Sequence, residues 1–112
     1  MAKYLNNNIR ILIAAPLPTI SVHPNDEDVE VYGSASFECT AQGFGINITW
    51  KRIKYNMPVT AKVTEMRFWN RVESILNIAK VVGYYKGEYY CVAENEGGIV
   101  ISQAAKLIVK GA

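Results

Sequence analysis

Two cysteines that lie far apart in the sequence constrain the fold most. Cys39 and Cys91 each occupy the middle of a short segment in which apolar and polar residues alternate, the pattern of a half-buried β-strand. A disulfide between them would pin two sheets together, stabilise the fold by about 4 kcal/mol in the chain-entropy account, and require an oxidising compartment. The alternatives are two free buried cysteines, or a metal site that would need more ligands than these thiols and His23 supply.

Alternation extends along most of the chain, and no segment keeps a helical period beyond two turns. The alternating segments are rich in Val, Ile, Thr, Tyr and Phe and recur about every 8 to 12 residues, which predicts an all-β sandwich or barrel. The first strand should break at His23 and Pro24, because proline cannot donate a ladder hydrogen bond. The expected strands are 19–22, 29–32, 34–40, 48–53, 74–78, 87–94 and 99–109, with an acidic turn at 25–28, one or two short strands within 59–67 and a turn at 69–71.

Length and composition favour one domain. The chain has 112 residues, half of them hydrophobic, and a formal charge of only +2, which does not indicate a nucleic-acid-binding surface. No apolar run reaches the roughly 18 residues of a membrane-spanning helix, so we expect no direct membrane insertion by this chain.

Residues 1–17 make a poor secretory signal, because Asn6, Asn7, Asn8 and Arg10 interrupt them. We interpret 1–17 as a linker, the end of a preceding module or an added segment, with an extra strand at 9–13 or a disordered leader as the alternatives.

Cys39, then Trp50 eleven positions later, then Tyr89 and Cys91 resemble the signature of the immunoglobulin superfamily. The resemblance covers about Pro18 to Lys110 and implies a two-sheet antiparallel Greek-key β-sandwich. It also implies that Trp50 packs on the inter-sheet disulfide, that Tyr89 forms the tyrosine corner, and that Leu76 belongs to the core. The other positions that match the family pattern are Ile78, Val81, Gly87, Ala93, Asn95, Gly98, Ala105, Leu107 and Val109.

The interval between Trp50 and Cys91 indicates the subtype that the chain resembles. It is too short for the two additional strands of a variable-type domain and suits the intermediate, or I-set, kind. The chain departs from the family at Tyr85, where an aspartate usually makes a salt bridge across one end of the sandwich. We expect Tyr84 and Tyr85 to close that end by packing instead.

No set of residues in the sequence predicts catalysis. A paired Ser and His, a glycine-rich phosphate loop followed by Lys, and a cluster of metal ligands are all missing, so we expect neither an enzyme nor a cofactor. The acidic stretch 26–28 lacks the spaced oxygen ligands of a calcium loop and is interpreted as a solvated turn.

Two features of the sheet that contains Trp50 and Tyr89 suggest surface functions. Asn47-Ile48-Thr49 fits the N-glycosylation rule, although such triplets also occur by chance. Strand parity directs an apolar set of residues with a few charges outward, which is typical of protein-binding surfaces. Contact with a neighbouring domain, or no role at all, is the alternative for this set. Its members are Lys51, Ile53, Tyr90, Val92, Glu94 and Lys106, with Ala104 and Ile108 beside them.

Two further groups of residues are weaker candidates. Trp69 could anchor a partner or fold over the sandwich edge, and packing against the core is the favoured interpretation. Basic residues at 51–54, together with Lys62, Arg67 and Arg71, could attract a sulfated glycan, yet strand parity divides them between two faces.

The sequence therefore predicts an interaction or adhesion module of a larger cell-surface receptor, adhesion or matrix protein. Such a module would bind a protein ligand or neighbouring immunoglobulin-like domains and would be extracellular. The alternative is a structural spacer in a multi-domain array, including the intracellular muscle-type proteins with I-set domains.

Overall fold

The computed structural model describes residues 2–5, 9–12 and 15–111. Within these ranges the chain forms β-strands and one short 3-10 helix, Gly83–Tyr85. No helix in these ranges is long and apolar enough to cross a membrane. The strands are β1 (Ala2–Leu5), β2 (Ile9–Leu12), β3 (Thr19–Val22), β4 (Glu27–Glu30), β5 (Ala35–Gln42), β6 (Asn47–Arg52), β7 (Ala61–Phe68), β8 (Arg71–Ile78), β9 (Gly87–Asn95), β10 (Gly98–Ile101) and β11 (Ala105–Lys110).

Two sheets make up the body of the protein, which confirms the expected all-β sandwich. The first sheet has the order β3-β5-β8-β7 and is antiparallel throughout. In the second, β9 pairs with β6 on one side and with β10 and β11 on the other, and β11 also pairs with β4. The β4–β11 pair is parallel, which corrects the expectation of a purely antiparallel sandwich. The chain changes sheets at His23 and Pro24, so β4 joins the second sheet beside the last strand.

The hydrophobic core lies between the two sheets, where the alternating apolar residues face each other. Phe37 and Leu76 of the first sheet are buried against Tyr89 and Ala93 of the second. The rings of Phe37 and Tyr89 stack with centroids 5.5 Å apart. The two-residue period of β5, β6 and β8 is thus the period of burial, as the sequence pattern predicts.

Several expected elements begin or end elsewhere. The second strand starts at Glu27 rather than Val29, because parallel pairing with β11 aligns Glu27 with Leu107. The acidic stretch is therefore mostly strand and not a turn. The middle of the chain holds one strand, β7, which forms a hairpin with β8 through a turn at Trp69 and Asn70. Residues 53–60 contain no strand, which is compatible with the I-set arrangement.

The last expected strand, 99–109, is interrupted at Ser102–Ala104 and becomes β10 and β11. Side chains bind main-chain groups at this break. Ser102 Oγ accepts a hydrogen bond from the Cys91 N–H (2.9 Å), and His23 Nδ1 accepts one from the Gln103 N–H (3.0 Å). Asp26 Oδ1 accepts a hydrogen bond of 2.8 Å from the Lys106 N–H. The crossover between β3 and β4 therefore holds the interrupted strand.

The extra strand expected at 9–13 corresponds to β2, Ile9–Leu12. It pairs with β1 as a separate two-stranded antiparallel sheet, with Leu5 opposite Ile9. Ile13 lies outside the described residues.

Candidate protein-binding face

The disulfide joins the two sheets at the centre of the molecule. Cys39 of β5 and Cys91 of β9 are bonded with an S–S distance of 1.97 Å, and both are fully buried. Trp50 lies directly opposite Cys91 in the β6–β9 register and is also buried. Its indole N–H donates a hydrogen bond of 2.9 Å to Ser74 Oγ on β8, in the other sheet. Leu76, two residues further along β8, is buried as well.

Tyr89 forms a second buried polar contact. Its hydroxyl donates a hydrogen bond of 2.6 Å to the carbonyl of Tyr85, the geometry that a tyrosine corner requires. Burial raises the pKa of Tyr89 to about 12, and the positive charge of Arg52 opposes this shift only in part. The neutral phenol is therefore the form that the folded protein favours.

Arg52 closes one end of the sandwich without a carboxylate. It is buried, and its guanidinium donates hydrogen bonds to the carbonyls of Asn56 (3.2 Å), Lys86 (3.0 Å) and Tyr84. The guanidinium carbon lies 4.9 Å from the ring centroid of Tyr55 and 5.2 Å from that of Tyr84. The structure thus adds an arginine, held by carbonyls and aromatic rings, to the tyrosines that were expected to close this end.

The outward surface of β6, β9 and β10 is the candidate binding face. Neighbouring strands place residues of like parity side by side, in rows across the sheet. From one end of the strands to the other, the rows are Asn47, Glu94 and Ile99; Thr49, Val92 and Ile101; and Lys51 with Tyr90. We call these eight residues, together with Ile53, the isoleucine face.

Large apolar groups on this face are open to solvent. Ile99 is 56% exposed, Ile101 59% and Ile53 39%. Val92 and Tyr90 between them are half-buried. The structure thus brings together five of the six outward residues expected from sequence. The sixth, Lys106 of β11, is exposed and lies opposite Glu88, which has the same parity on β9 as Tyr90.

The sequence did not predict that Ile99 and Ile101 are exposed, because strand parity was counted from Leu107. That count assigns odd-numbered residues of the last strand to the core, as holds for Ala105 and Leu107. The break at 102–104 reverses the parity, so before it the odd-numbered residues are exposed and Val100 packs against the core. In the sequence, the polar pair Ser102 and Gln103 between apolar segments marks the reversal.

The expectation for Trp69 is wrong. Its side chain is 78% exposed, because it occupies the turn between β7 and β8, beyond the reach of the core. Its ring contacts the exposed ring of Phe44, with centroids 5.2 Å apart. Asn70 O accepts a bond of 2.9 Å from the Gly43 N–H, and Asn95 Nδ2 donates to the carbonyls of Phe44 (3.2 Å) and Pro16 (3.0 Å). We call Phe44 and Trp69 the aromatic tip.

Several charged residues that were weighed as binding groups bind other parts of the domain. Arg67 pairs with Glu65 (2.7 Å), and Arg71 pairs with Glu73 (3.2 Å). In the basic cluster, the buried Arg52 is unavailable to a ligand.

The carboxylates of the acidic stretch 26–28 are also engaged with the fold. In addition to the Asp26 bond, Glu27 Oε1 accepts from the Ser36 N–H (3.1 Å), and Asp28 pairs with Lys110 (3.2 Å). These side chains anchor β4 to its neighbours.

Asn47 is exposed at the start of β6. Its amide oxygen accepts a hydrogen bond of 3.2 Å from Arg67 Nη2, and Arg67 Nη1 donates one of 2.8 Å to the carbonyl of Ile46. Arg67 therefore bridges the open side of the sandwich from β7 to β6 and orients the Asn47 amide.

Comparison with known proteins identifies the family. The sequence profile of the immunoglobulin domain matches residues 18–95. Hemicentin-1 of Mus musculus is 32% identical over 88 residues, which are 77% of this chain and 2% of that protein.

Solved structures agree with this match. The N-terminal Ig1-2 module of the Drosophila receptor protein tyrosine phosphatase DLAR is 32% identical with a TM-score of 0.69, covering 82% of this chain and 48% of that one. A chimeric titin Z1Z2 structure has a TM-score of 0.72 at 24% identity, covering 88% and 98% of the two chains, which shows the fold alone. The chain belongs to the immunoglobulin-domain family.

Proposed function

We propose that this domain is a non-catalytic interaction module that binds a partner protein through the isoleucine face. The observation that carries the proposal is the exposure of Ile99 and Ile101 beside Val92 and Tyr90 on one sheet surface. Exposed isoleucines that are adjacent, rather than scattered, are typical of surfaces that another protein covers.

The charges at the margins of the face support the same function. Glu94 lies in the first row and Lys51 in the third, on either side of the Val92 row, and both are exposed. An apolar centre with charged groups at its margin is the usual anatomy of a protein interface, because the centre loses its water while the rim stays wet.

We further propose an extracellular or cell-surface location within a larger protein, with 18–110 as the folded domain and 1–17 as a linker or the end of a preceding module. The Cys39–Cys91 disulfide supports an oxidising compartment. The match to 2% of hemicentin-1 supports a multi-domain parent protein.

A binding screen against displayed cell-surface and matrix proteins tests the proposed function. We expect Ile101→Asp to reduce binding of any partner at least tenfold, because a carboxylate would be desolvated at the centre of the interface. Met66→Asp is the matched control, since Met66 is 60% exposed on the other sheet and Ile101 is 59% exposed. A partner that is equally sensitive to both variants, or to neither, would exclude the isoleucine face as its binding site.

A structural module in a tandem array is the second candidate function. The chain enters the domain beside the aromatic tip, because Asn95 holds the carbonyls of both Pro16 and Phe44. A preceding domain would therefore lie next to Phe44 and Trp69, whose apolar rings could fix the angle between the two domains. In a two-domain protein that includes the natural preceding domain, we expect Trp69→Ala to broaden the inter-domain distances measured by small-angle scattering. An unchanged distribution would argue against this role.

A further inference from the structure

We propose that Asn47 carries an N-linked glycan that covers the isoleucine face, so that glycan occupancy and protein binding at this face exclude each other. The inference rests on the proposed function and assigns a modification that would regulate it.

The acceptor is the amide nitrogen of Asn47 in Asn47-Ile48-Thr49. The donor class is a lipid-linked oligosaccharyl diphosphate. The bond between the first sugar carbon and the diphosphate breaks, a bond from that carbon to Asn47 Nδ2 forms, the amide loses one proton, and the lipid diphosphate leaves. In the folded domain Asn47 is exposed while Ile48 is buried, so the product can be accommodated without disturbing the core.

The contact with Arg67 orients the Asn47 amide and so fixes the direction in which the glycan leaves the side chain. The amide oxygen of Asn47 is bound by Arg67 Nη2 at 3.2 Å, from the side of β6 that faces β7. The amide nitrogen is the other branch of the same planar group and is therefore directed away from Arg67. This bond is retained after modification, since glycosylation uses the nitrogen and leaves the oxygen as an acceptor.

The strand register places the attachment site, Asn47, within the isoleucine face itself. Asn47 lies opposite Glu94, and Glu94 lies opposite Ile99, so Asn47 is itself part of the first row. Lys51 in the third row is four residues along β6, which corresponds to about 14 Å. A branched oligosaccharide attached in the first row would cover the rows beyond it and exclude a partner protein from them.

The first experiment measures occupancy. The chain is secreted from mammalian cells as wild type, as Asn47→Gln and as Thr49→Ser, which keeps the acceptor triplet. We expect the intact mass of the wild type and of Thr49→Ser to exceed the sequence mass by an oligosaccharide, and that of Asn47→Gln to match the sequence. A secreted wild type without this added mass overturns the inference and leaves the proposed function standing.

The second experiment tests coverage without any partner. Wild type and Asn47→Gln are acetylated with an N-hydroxysuccinimide ester, and the rate at each lysine is measured by peptide mass spectrometry. We expect Lys51 to react at least threefold more slowly in the glycosylated protein, while Lys62, exposed on β7 of the other sheet, reacts equally in both. Equal rates at Lys51 would show that the glycan points elsewhere and would overturn the inference.

The third experiment connects coverage with binding. The glycosylated wild type and the same chain made without a glycan in a bacterial periplasm, where disulfides also form, enter the screen against displayed cell-surface and matrix proteins. We expect only the form without a glycan to bind through a contact that Ile101→Asp abolishes. Equal binding by both forms overturns the exclusion. Protection of Lys51 without any face-dependent partner for either form instead contradicts the proposed function, so the two failures are distinguishable.

Discussion

The contact between Trp50 and Ser74 links the two sheets through side chains. It is a buried hydrogen bond of 2.9 Å from β6 to β8, close to the disulfide. A buried indole N–H has no access to water. Loss of its acceptor therefore lowers the free energy of unfolding more than loss of a hydroxyl on the surface does.

We expect Ser74→Ala to lower the free energy of unfolding by about 1–3 kcal/mol, because it leaves the Trp50 N–H without a partner. In a Trp50→Phe background the same substitution should cost clearly less, since the donor is gone. Denaturant unfolding of the four proteins in this double-mutant cycle measures the difference. Equal losses in both backgrounds would show that the bond does not contribute.

Tyr89 predicts a dependence of stability on alkaline pH. Its pKa is raised to about 12 in the folded protein, mainly by burial, above the ordinary value of 10.0 in the unfolded chain. Below pH 10 both states are protonated and the stabilisation is fully present. Between about pH 10 and 12 only the unfolded state loses its proton, so stability falls as the pH rises.

We therefore expect the free energy of unfolding of the wild type to decline between pH 9 and pH 11.5 more steeply than that of Tyr89→Phe. Denaturant titrations at several pH values measure both slopes, and the other tyrosines contribute equally to both proteins. Parallel curves would mean that Tyr89 ionises as readily in the folded state as in the unfolded one.

Single residues also show how far the sequence could predict the site. Strand parity puts Arg52 on the same side as Trp50, and its buried position agrees. Its carbonyl and aromatic partners come from a loop and a helix, whose positions the alternation does not predict. Trp69 was placed wrongly, because a large apolar residue in a turn has no periodicity to assign its side.

At the scale of elements, the interrupted last strand depends on side chains from the crossover between β3 and β4. Asp26 Oδ1 binds the Lys106 N–H at 2.8 Å, and His23 Nδ1 binds the Gln103 N–H at 3.0 Å. Both amides lie where β10 ends and β11 begins.

We expect Asp26→Ala to increase the hydrogen-exchange rate of the Lys106 amide several-fold, because the amide loses its acceptor. Asp26→Asn keeps an oxygen in the same position and should show a smaller increase. Exchange followed by NMR measures both effects, with the Ala93 amide in the undisturbed β9 as an internal reference. A Lys106 amide that is equally protected in all three proteins would contradict the role of Asp26.

The burial pattern of each strand decides whether its sequence could predict it. The alternation in β5 and β8 reports burial on one face, and both strands were expected. Strand β7 is an edge with nearly every residue exposed, so its sequence lacks the two-residue period that marks a strand. The start of β4 was misplaced because pairing with β11, remote in sequence, decides it.

At the scale of the whole molecule, the disulfide closes a loop between residues that are 52 positions apart. We expect the Cys39→Ala, Cys91→Ala double variant to lose about 4 kcal/mol of unfolding free energy, mainly because its unfolded chain is no longer constrained. Denaturant unfolding of this variant and of the reduced wild type measures the loss. A loss below 1 kcal/mol would show that the core between the sheets is sufficient by itself.

The parallel pairing of β4 and β11 has a mechanical consequence. One strand lies near the start of the domain and the other at its end, and they run in the same direction with Glu27 beside Leu107 and Glu30 beside Lys110. Tension applied to the two ends of the domain would slide the strands past each other. It would load their hydrogen bonds and the Asp28–Lys110 ion pair together, instead of opening them one at a time. Extension of the domain along the line between its ends is therefore opposed by several bonds in shear at once.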